Sequence, residues 1–317
     1  MSLGEFDLIA RYFTRHAARG DVLLGVGDDA AVVSVPADRR LVVAMDTIVD
    51  GVHFPTGTSA ADIGYRSLAV NLSDLAAMGA QPSWMTLSLS LPHNDKAWVA
   101  GFAQGLFELA DMHSVALIGG DTVRGPMTIT VQVAGLIEQD RWLTRAGAKE
   151  GDLILVSGTI GDAAAGLAVI QQRMPDSPAA AQLRHRFLRP APRVELGRTL
   201  RPFATAAMDV SDGLLADLDK LCAASGCGAQ VDIDALPLST QLCETFDASA
   251  RIDFAMAGGD DYELLFTVAP GDAGLVPTGC TRIGVITRGS SVECLRDGKP
   301  MQIARRGYDH FAGKDAT

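Results

Sequence analysis

Aspartates beside glycines are the residues of this sequence whose type and spacing could do chemistry. Five short motifs place aspartates where the backbone is expected to change direction: GDD at 27–29, Asp46 after an apolar run, GGDT at 119–122, DVSDG at 209–213 and GGDDYE at 258–263. Glycine lets the main chain approach a ligand closely, and loops and strand ends often carry functional groups. Each motif alone is more typical of a turn or a helix cap. Taken together, the five motifs predict a site for cations.

Asp74 adds a carboxylate on an otherwise apolar helix, on the face that also carries Asn71 and Met78. If that face points inward, the ionised carboxylate needs partners, and a hard cation is the simplest one. The alternative is a solvent-facing aspartate on an amphipathic helix. The sequence leaves both open.

The donor types indicate Mg²⁺ rather than zinc or copper. The six histidines form no H-x-x-x-H pair, and the five cysteines are odd in number and scattered, which favours free thiols. Mg²⁺ is usually held by a few carboxylates together with substrate phosphates, so these carboxylates point to nucleotide chemistry.

Ser211 has two interpretations. It is well placed to be the N-cap of a helix that starts near Gly213. The free N–H groups of the same helix N-terminus could instead hold a phosphate whose cation Asp209 and Asp212 share.

Residues 25–30, GVGDDA, fit the dinucleotide fingerprint G-x-G-x-x-[GA]. That fingerprint requires a strand before the glycines and a helix after them, whereas here a short β-branched run and Pro36 follow. Asp28 and Asp29 would also repel a pyrophosphate unless a cation stood between them. A nicotinamide or flavin site is therefore excluded, and the absence of a Walker motif or protein-kinase signature excludes those two nucleotide sites.

Length and composition set outer bounds. The chain has 317 residues, which suggests about two domains. Acidic residues outnumber basic ones by 38 to 27, and this disfavours nucleic-acid and membrane-surface partners. No apolar run is long enough to span a membrane, and the N-terminus lacks signal-peptide features, so we expect a cytoplasmic protein.

The hydrophobic pattern predicts an α/β (α+β) protein in two parts. Residues 1–141 read as strands with two intervening helices, at about 59–79 and 94–114, and residues 142–317 read as a second α/β unit. In the second unit, strands run into helices at 152–172 and 206–225, and the proline-rich stretch 174–192 is expected to be a surface connection or short helices.

Taken in order, the motifs resemble those of the thiamine-monophosphate kinase family over essentially the whole chain. Several of these motifs, NLSDLAAMGA among them, are shared with a wider superfamily that includes aminoimidazole ribonucleotide synthetase, whereas GEF, DGVHF, GGDDYEL and GYDHF are more specific. The resemblance implies a synthetase-like fold in which the N-terminal domain binds ATP and Mg²⁺ and forms a β-barrel across a homodimer. It also implies that the C-terminal domain completes the active site.

The activity implied by the resemblance is the Mg²⁺-assisted transfer of the γ-phosphoryl group of ATP to thiamine monophosphate, which is the last step of thiamine diphosphate biosynthesis. The family's motifs carry over several metal ligands: Asp29, Met45, Asp46, Asp74, Asp121, Asp209 and Asp212. They also carry over nucleotide contacts, Gly120, Asp121, Arg145 and Ser211, and contacts on the thiamine side, His53, Asp260 and Tyr308. A structural loop histidine is the alternative for His53.

Two positions depart from the family pattern. Ala44 and Met45 replace the hydroxyl residues that often precede Asp46, so Met45 could coordinate a metal only through its main-chain carbonyl. Asp260 stands where glutamate is common, and its shorter side chain reaches less far toward a substrate.

There are four competing functions. An ATP-dependent cyclase or ligase such as aminoimidazole ribonucleotide synthetase is one alternative, and a non-catalytic nucleotide-binding protein is another. Selenophosphate synthetase is disfavoured because the first cysteine is Cys222, and the hydrogenase maturation ATPase is disfavoured because no cysteine ends the sequence.

Overall fold

The computed structural model of the chain describes residues 5–15, 19–172, 174–303 and 307. The chain divides into two compact units, one made of Met1–Leu75 with Ala80–Arg141 and the other of Ala76–Gly79 with Trp142–Thr317. Among the described residues, no helix combines the length and the apolar composition that crossing a bilayer requires.

The first unit is built on a four-stranded sheet. Its strands are β3 (Arg39–Val49), β4 (Gln81–Leu91), β5 (Ala116–Arg124) and β6 (Thr128–Glu138), in the order β3-β6-β4-β5. Strands β4 and β5 are parallel and the other neighbours are antiparallel. Two short strands, β1 (Val22–Leu24) and β2 (Val32–Val33), form a separate ribbon. Within the described residues the four-stranded sheet has two free edges, β3 and β5, and does not close into a barrel.

Three helices accompany this sheet: α1 (Glu5–Tyr12), α2 (Ala60–Ala77) and α3 (Lys96–Met112). Helix α3 starts where predicted because the Asp95 side chain caps it and accepts hydrogen bonds from the backbone N–H groups of Ala97 and Trp98. Helix α2 is buried along most of its length, including the polar residues Ser67, Asn71 and Ser73. Two of these side chains find partners within the helix: Ser67 donates to the Gly64 carbonyl and Asn71 to the Ser67 carbonyl.

The second unit contains a seven-stranded sheet in the order β13-β12-β9-β11-β7-β10-β8. The strands are β7 (Leu153–Ser157), β8 (Ala204–Asp209), β9 (Gly228–Asp232), β10 (Leu264–Val268), β11 (Cys280–Thr287), β12 (Val292–Arg296) and β13 (Lys299–Met301). Among the strand pairs of the described residues in this sheet, β12–β9 alone is parallel. Strands β7 and β10 lie inside the sheet, and apart from Ser157 and Thr267 they consist of apolar residues because both of their faces are covered.

The helices of the second unit are α4 (Asp162–Gln171), α5 (Pro178–Leu188), α6 (Val194–Leu200), α7 (Leu214–Ser225), α8 (Thr240–Thr245) and α9 (Ala248–Ala257), with short 3₁₀ turns at Ile233–Ala235 and Pro270–Leu275. The proline-rich stretch therefore forms helices, and α5 buries Ala180, Leu183 and Phe187. All five cysteines are free thiols, as expected, and burial raises the pKa of Cys222 to about 12.

Two expectations about strand ends were wrong. Asp46 lies inside β3 because the apolar run continues through Ile48 and Val49, which pair with Ile129 and Thr128 of β6. Asp121 lies inside β5 and pairs with Ser88 of β4, so neither aspartate marks a change of chain direction.

Candidate active site

The glycine-rich segment at 25–30 connects β1 to β2, and no helix follows it in this fully described stretch. Asp28 and Asp29 are exposed, and the backbone N–H of Asp29 donates a 2.9 Å hydrogen bond to the Asp28 carboxylate. The segment therefore presents carboxylates at a turn between strands. No helix begins after its glycines, so the segment lacks the helix N-terminus that a dinucleotide site requires.

Strand β3 and helix α2 bring together one set of predicted residues. The backbone N–H of Asp46 donates a 2.8 Å hydrogen bond to the Asn71 side-chain oxygen, which fixes the edge strand to the buried helix. Met45 and Asp46 are exposed, and Asp74 is half-buried one helical turn beyond Asn71. The position of Asp74 is intermediate between the two alternatives, since its side chain is neither enclosed nor fully in solvent.

Gly120 and Asp121 lie on β5, at the other edge of the same sheet. Gly120 has φ of 152°, and a side chain there would overlap the backbone of Leu87 on β4. Three strand spacings separate β3 from β5, which is roughly 14 Å along the sheet. Within one chain, Asp121 and Asp46 are therefore too far apart to bind one cation directly.

In the second unit, Asp209 is the last residue of β8 and pairs with Leu264, and the loop after β8 carries Ser211 and Asp212. The expected N-cap role of Ser211 was wrong: the helix α7 begins at Leu214, Gly213 is its cap residue and no side chain caps it there. The backbone N–H groups of Ser211 and Asp212 instead donate to the buried Asp217 carboxylate, at 2.9 and 3.0 Å. A carboxylate in the first turn of α7 thus binds back to the two residues that precede the cap residue and fixes the loop to the helix.

The segment before β10 lies against this loop. The backbone N–H of Asp260 donates to the Ser211 carbonyl at 2.9 Å, and that of Tyr262 donates to the Val210 carbonyl at 2.8 Å. Both Asp260 and Tyr262 have positive φ, 71° and 52°, a conformation that non-glycine residues rarely adopt. The Tyr262 hydroxyl also donates to the Asp260 carboxylate at 3.1 Å. Two predicted site residues, Ser211 and Asp260, are therefore in direct contact in the second unit.

Two buried acidic side chains of this segment, those of Asp261 and Glu263, hold it in place. Asp261 accepts hydrogen bonds from the backbone N–H groups of Gly161 and Ala163, at 2.6 and 3.1 Å. Glu263 accepts from Arg193, from Arg186 and from the Ser157 hydroxyl. Asp261, one of the two aspartates of the GGDDYE motif, therefore has a framework role. Glu263 has one as well, and its role was not predicted.

Lys220 was also missed. Its ammonium nitrogen contacts the carboxylate of Asp212 at 2.5 Å and that of Asp217 at 2.8 Å. Burial lowers the pKa of Lys220, but hydrogen bonds to these two carboxylates outweigh it and leave the pKa above its usual value. The i, i+3 spacing of Asp217 and Lys220 on a helix was a usable signal.

The remaining predicted residues are placed as follows. Arg145 is exposed in a segment fixed to β8 by a 2.8 Å hydrogen bond from the Ala207 N–H to the Thr144 carbonyl. Nδ1 of His53 accepts a 3.1 Å hydrogen bond from the Val49 N–H, as a structural loop histidine would. Tyr308 lies outside the described residues, although Gly307 is described and lies against Asp212 and Ala216.

No group of three or more His, Cys, Asp or Glu side chains in the described ranges is arranged to hold a metal ion. The predicted ligands instead form four smaller sets: Asp29 in the turn between β1 and β2, the residues on β3 and α2, Asp121 on β5, and Asp209 and Asp212 at and just after the end of β8. Mg²⁺ commonly takes only one or two carboxylates and completes its shell with water and substrate phosphates. Such an arrangement suits a cation that arrives with a phosphorylated ligand.

Comparison with known families matches both units. The family model for the AIR synthase related protein N-terminal domain matches residues 27–137, and that for the C-terminal domain matches residues 149–294. Thiamine-monophosphate kinase of Escherichia coli (strain K12) is 46% identical over 98% of this chain and 99% of its own length. That of Haemophilus influenzae is 44% identical with the same coverage of both chains.

Solved structures give a parallel result. Thiamine-monophosphate kinase from Stenotrophomonas maltophilia superposes with a TM-score of 0.86 at 48% identity, covering 95% of this chain and 99% of that one. AaThiL complexed with AMPPCP and TMP has a TM-score of 0.80 at 33% identity, covering 90% and 92%. The hydrogenase maturation protein HypE of E. coli has a TM-score of 0.74 at 23% identity, which is a likeness of fold alone.

Proposed function

Because this chain belongs to the thiamine-monophosphate kinase family, we infer that it transfers the γ-phosphoryl group of ATP to thiamine monophosphate, giving thiamine diphosphate and ADP. The observation that carries this inference is identity of 46% with a thiamine-monophosphate kinase over 98% of the chain. The complex of a relative with AMPPCP and TMP supports the same pair of ligands, an ATP analogue and thiamine monophosphate.

The residue types suit this reaction. The acceptor is a phosphate oxygen that is already anionic near neutral pH, so the chain needs no general base and we assign none. The main obstacle is charge repulsion between two phosphorylated substrates. The carboxylates of this chain would hold cations, and bound cations would reduce that repulsion and help to align the acceptor for in-line attack.

Mg²⁺ is the cation that the donor set fits. The candidate ligands are carboxylate oxygens and one main-chain carbonyl, and these hard donors suit Mg²⁺. The Lys220 ammonium contacts both the Asp212 and the Asp217 carboxylate, so this loop already binds one positive charge. We assign several Mg²⁺ ions to seven ligands: Asp29, Met45 through its carbonyl, Asp46, Asp74, Asp121, Asp209 and Asp212.

The two substrates are assigned to different residues. Gly120, Asp121, Arg145 and Ser211 bind the nucleotide, and His53, Asp260 and Tyr308 contact thiamine monophosphate. The hydrogen bond from the Asp260 N–H to the Ser211 carbonyl supports adjacent donor and acceptor sites. For His53 the alternative to a substrate contact is a structural role in its loop, and the hydrogen bond from the Val49 N–H to His53 supports that alternative.

We also propose that the enzyme is a cytoplasmic homodimer whose N-terminal domains, residues 1–141, form a shared β-barrel. Strand β3 supports this assembly because it is a long edge strand whose alternate apolar residues Leu41, Val43 and Met45 are exposed. Exposed apolar edge strands promote pairing with another chain. Val43→Lys would place a charge on this face, and sedimentation analysis should then detect monomer where the unaltered protein is dimeric.

One assay tests the activity directly. ADP release is measured with Mg·ATP and thiamine monophosphate, thiamine or thiamine diphosphate as the acceptor. We expect turnover with thiamine monophosphate alone. Turnover with none of the three, despite measurable nucleotide binding, would instead indicate a non-catalytic nucleotide-binding protein.

A further inference from the structure

The loop after β8 depends on a charged network on one face of α7. Asp217 is fully buried, and one of its carboxylate oxygens accepts both backbone N–H groups of Ser211 and Asp212. Its other oxygen accepts the Lys220 ammonium at 2.8 Å. The same ammonium contacts Asp212 at 2.5 Å. Lys220 is therefore a counter-charge shared by a buried carboxylate and a more exposed one.

The two carboxylates differ in whether solvent ions can replace Lys220 as their partner. Asp217 has no solvent exposure and would be left as an uncompensated buried charge without Lys220. The side chains of Asp212 and Lys220 are 38% and 40% exposed, so the contact between them can be exchanged with solvent ions. A second cation at Asp212 would compete with the ammonium for that carboxylate's negative charge.

We propose that Lys220 is an exchangeable counter-charge for Asp212: it neutralises this carboxylate in the ligand-free protein and yields it to Mg²⁺ when the Mg·nucleotide binds, while it keeps its bond to Asp217. This inference rests on the proposed function, because Asp212 is assigned there as a metal ligand. Lys220 is a positioning residue in this scheme. It touches neither substrate.

The exchange predicts that substituting Lys220 destabilises the ligand-free protein more than the Mg·nucleotide complex. Lys220→Met removes both ammonium contacts from the ligand-free protein, which should melt a few degrees lower. In the Mg·nucleotide complex the contact with Asp212 is already lost, so the variant lacks only the contact with Asp217. Mg²⁺ should therefore raise the melting temperature of the variant by more than it raises that of the unaltered protein.

The experiment is a MgCl₂ titration of the full chain at a fixed concentration of the non-hydrolysable nucleotide AMPPCP, followed by melting temperature. We expect Lys220→Met to lower the Mg²⁺ concentration at half-saturation by roughly two- to fivefold, the range of a partly exposed ion pair. Lys220→Arg retains the positive charge in a side chain that pairs bidentately with carboxylates, and it should raise the half-saturation concentration. Lys299→Met, an exposed lysine of β13, is the matched control and should match the unaltered chain.

A purely structural role for Lys220 predicts equal losses of melting temperature with and without Mg²⁺ and an unchanged half-saturation concentration. That result would overturn the inference and leave the proposed function standing. If Mg²⁺ does not shift the melting temperature of the unaltered chain in the presence of AMPPCP, both this inference and the proposed function are contradicted. Should Lys220→Met fail to fold, Asp217→Asn combined with Lys220→Met removes one charge of each sign, and the same fall in the Mg²⁺ requirement is expected.

Discussion

Arg193 and Glu263, 70 residues apart in sequence, form a two-pronged ion pair in the second unit. Arg193 Nε donates to one oxygen of the fully buried Glu263 carboxylate at 2.6 Å, and Nη2 donates to the other oxygen. Arg186 adds a third guanidinium contact at 2.9 Å. The hydrogen bond to Glu263 raises the pKa of Arg193. Because Glu263 follows Asp260 by three residues, this pair fixes one end of the strained segment that carries a proposed substrate contact.

Arg193→Ala should lower the free energy of unfolding. Breaking a buried ion pair leaves an uncompensated charge and typically costs about 3–5 kcal/mol. We expect about 2–3 kcal/mol here, since Arg186 remains and Arg193 is about one-third exposed. Urea unfolding gives the value. Arg198→Ala removes an exposed pair with Glu195 and should cost less than about 0.5 kcal/mol. Equal losses for the two variants would contradict the framework role of Arg193.

Asp261 makes stability depend on pH. Burial raises its pKa from 3.8 to about 8, although the N–H groups of Gly161 and Ala163 oppose that rise. Because the folded pKa lies above the unfolded one, the stability from this carboxyl is fully present below about pH 4 and is lost as the pH rises to about 8. Asp261→Asn cannot ionise, so urea unfolding between about pH 5 and about pH 8 should show a flatter profile for this variant. Asp253→Asn, an exposed change on α9, should keep the original slope.

Long periodic segments were predictable from the sequence. The helical pattern at 59–79 contains α2, and the pattern at 94–114 contains α3, because both helices carry apolar residues at the helical period and end at turn or cap residues. The glycines at 25–30 were correctly placed between strands, since the short β-branched run after them cannot form a helix N-terminus.

Strand ends and long-range partners were not predictable. The sequence around Asp46 is apolar on both sides, and only pairing with β6 shows that β3 continues to Val49. The order of strands in the sheet, which puts Asp46 and Asp121 on opposite edges, depends on tertiary pairing. The partnership of Arg193 with Glu263 likewise joins residues that no local pattern relates.

Arg145→Ala should separate the two substrates. A guanidinium pairs with phosphate oxygens, so its loss should weaken Mg·AMPPCP binding by roughly tenfold to a hundredfold and leave thiamine monophosphate binding nearly unchanged. Titration calorimetry with each ligand measures both affinities. Arg141→Ala removes a nearby exposed arginine and serves as the control. A similar loss of affinity for both ligands would place Arg145 outside the nucleotide site.

Asp74→Asn tests the metal assignment on the buried helix α2, because it retains the shape of the side chain and removes one charge. Without metal, the carboxylates proposed to surround the site repel one another, so the variant should be as stable as the unaltered protein in chelator, or more stable. With Mg·ATP the order should reverse, since an amide is a poorer ligand for Mg²⁺ than a carboxylate. Melting temperatures in chelator and in Mg·ATP measure this reversal.

Turnover of Asp74→Asn with thiamine monophosphate should fall by at least about a hundredfold, the scale of losing one well-placed electrostatic stabiliser in the transition state. Asp111→Asn is the matched control. It neutralises an exposed carboxylate on α3 in the same unit, and that carboxylate pairs with Arg15 at 3.1 Å. That variant should retain normal turnover and respond to Mg·ATP like the unaltered chain. Because Asp74 is half-buried one helical turn from Asn71, which holds β3, its charge lies beside the strand that carries Asp46. Near-normal turnover of Asp74→Asn would make Asp74 an ordinary helical surface residue and would leave Asp46 as the ligand on this side of the first unit.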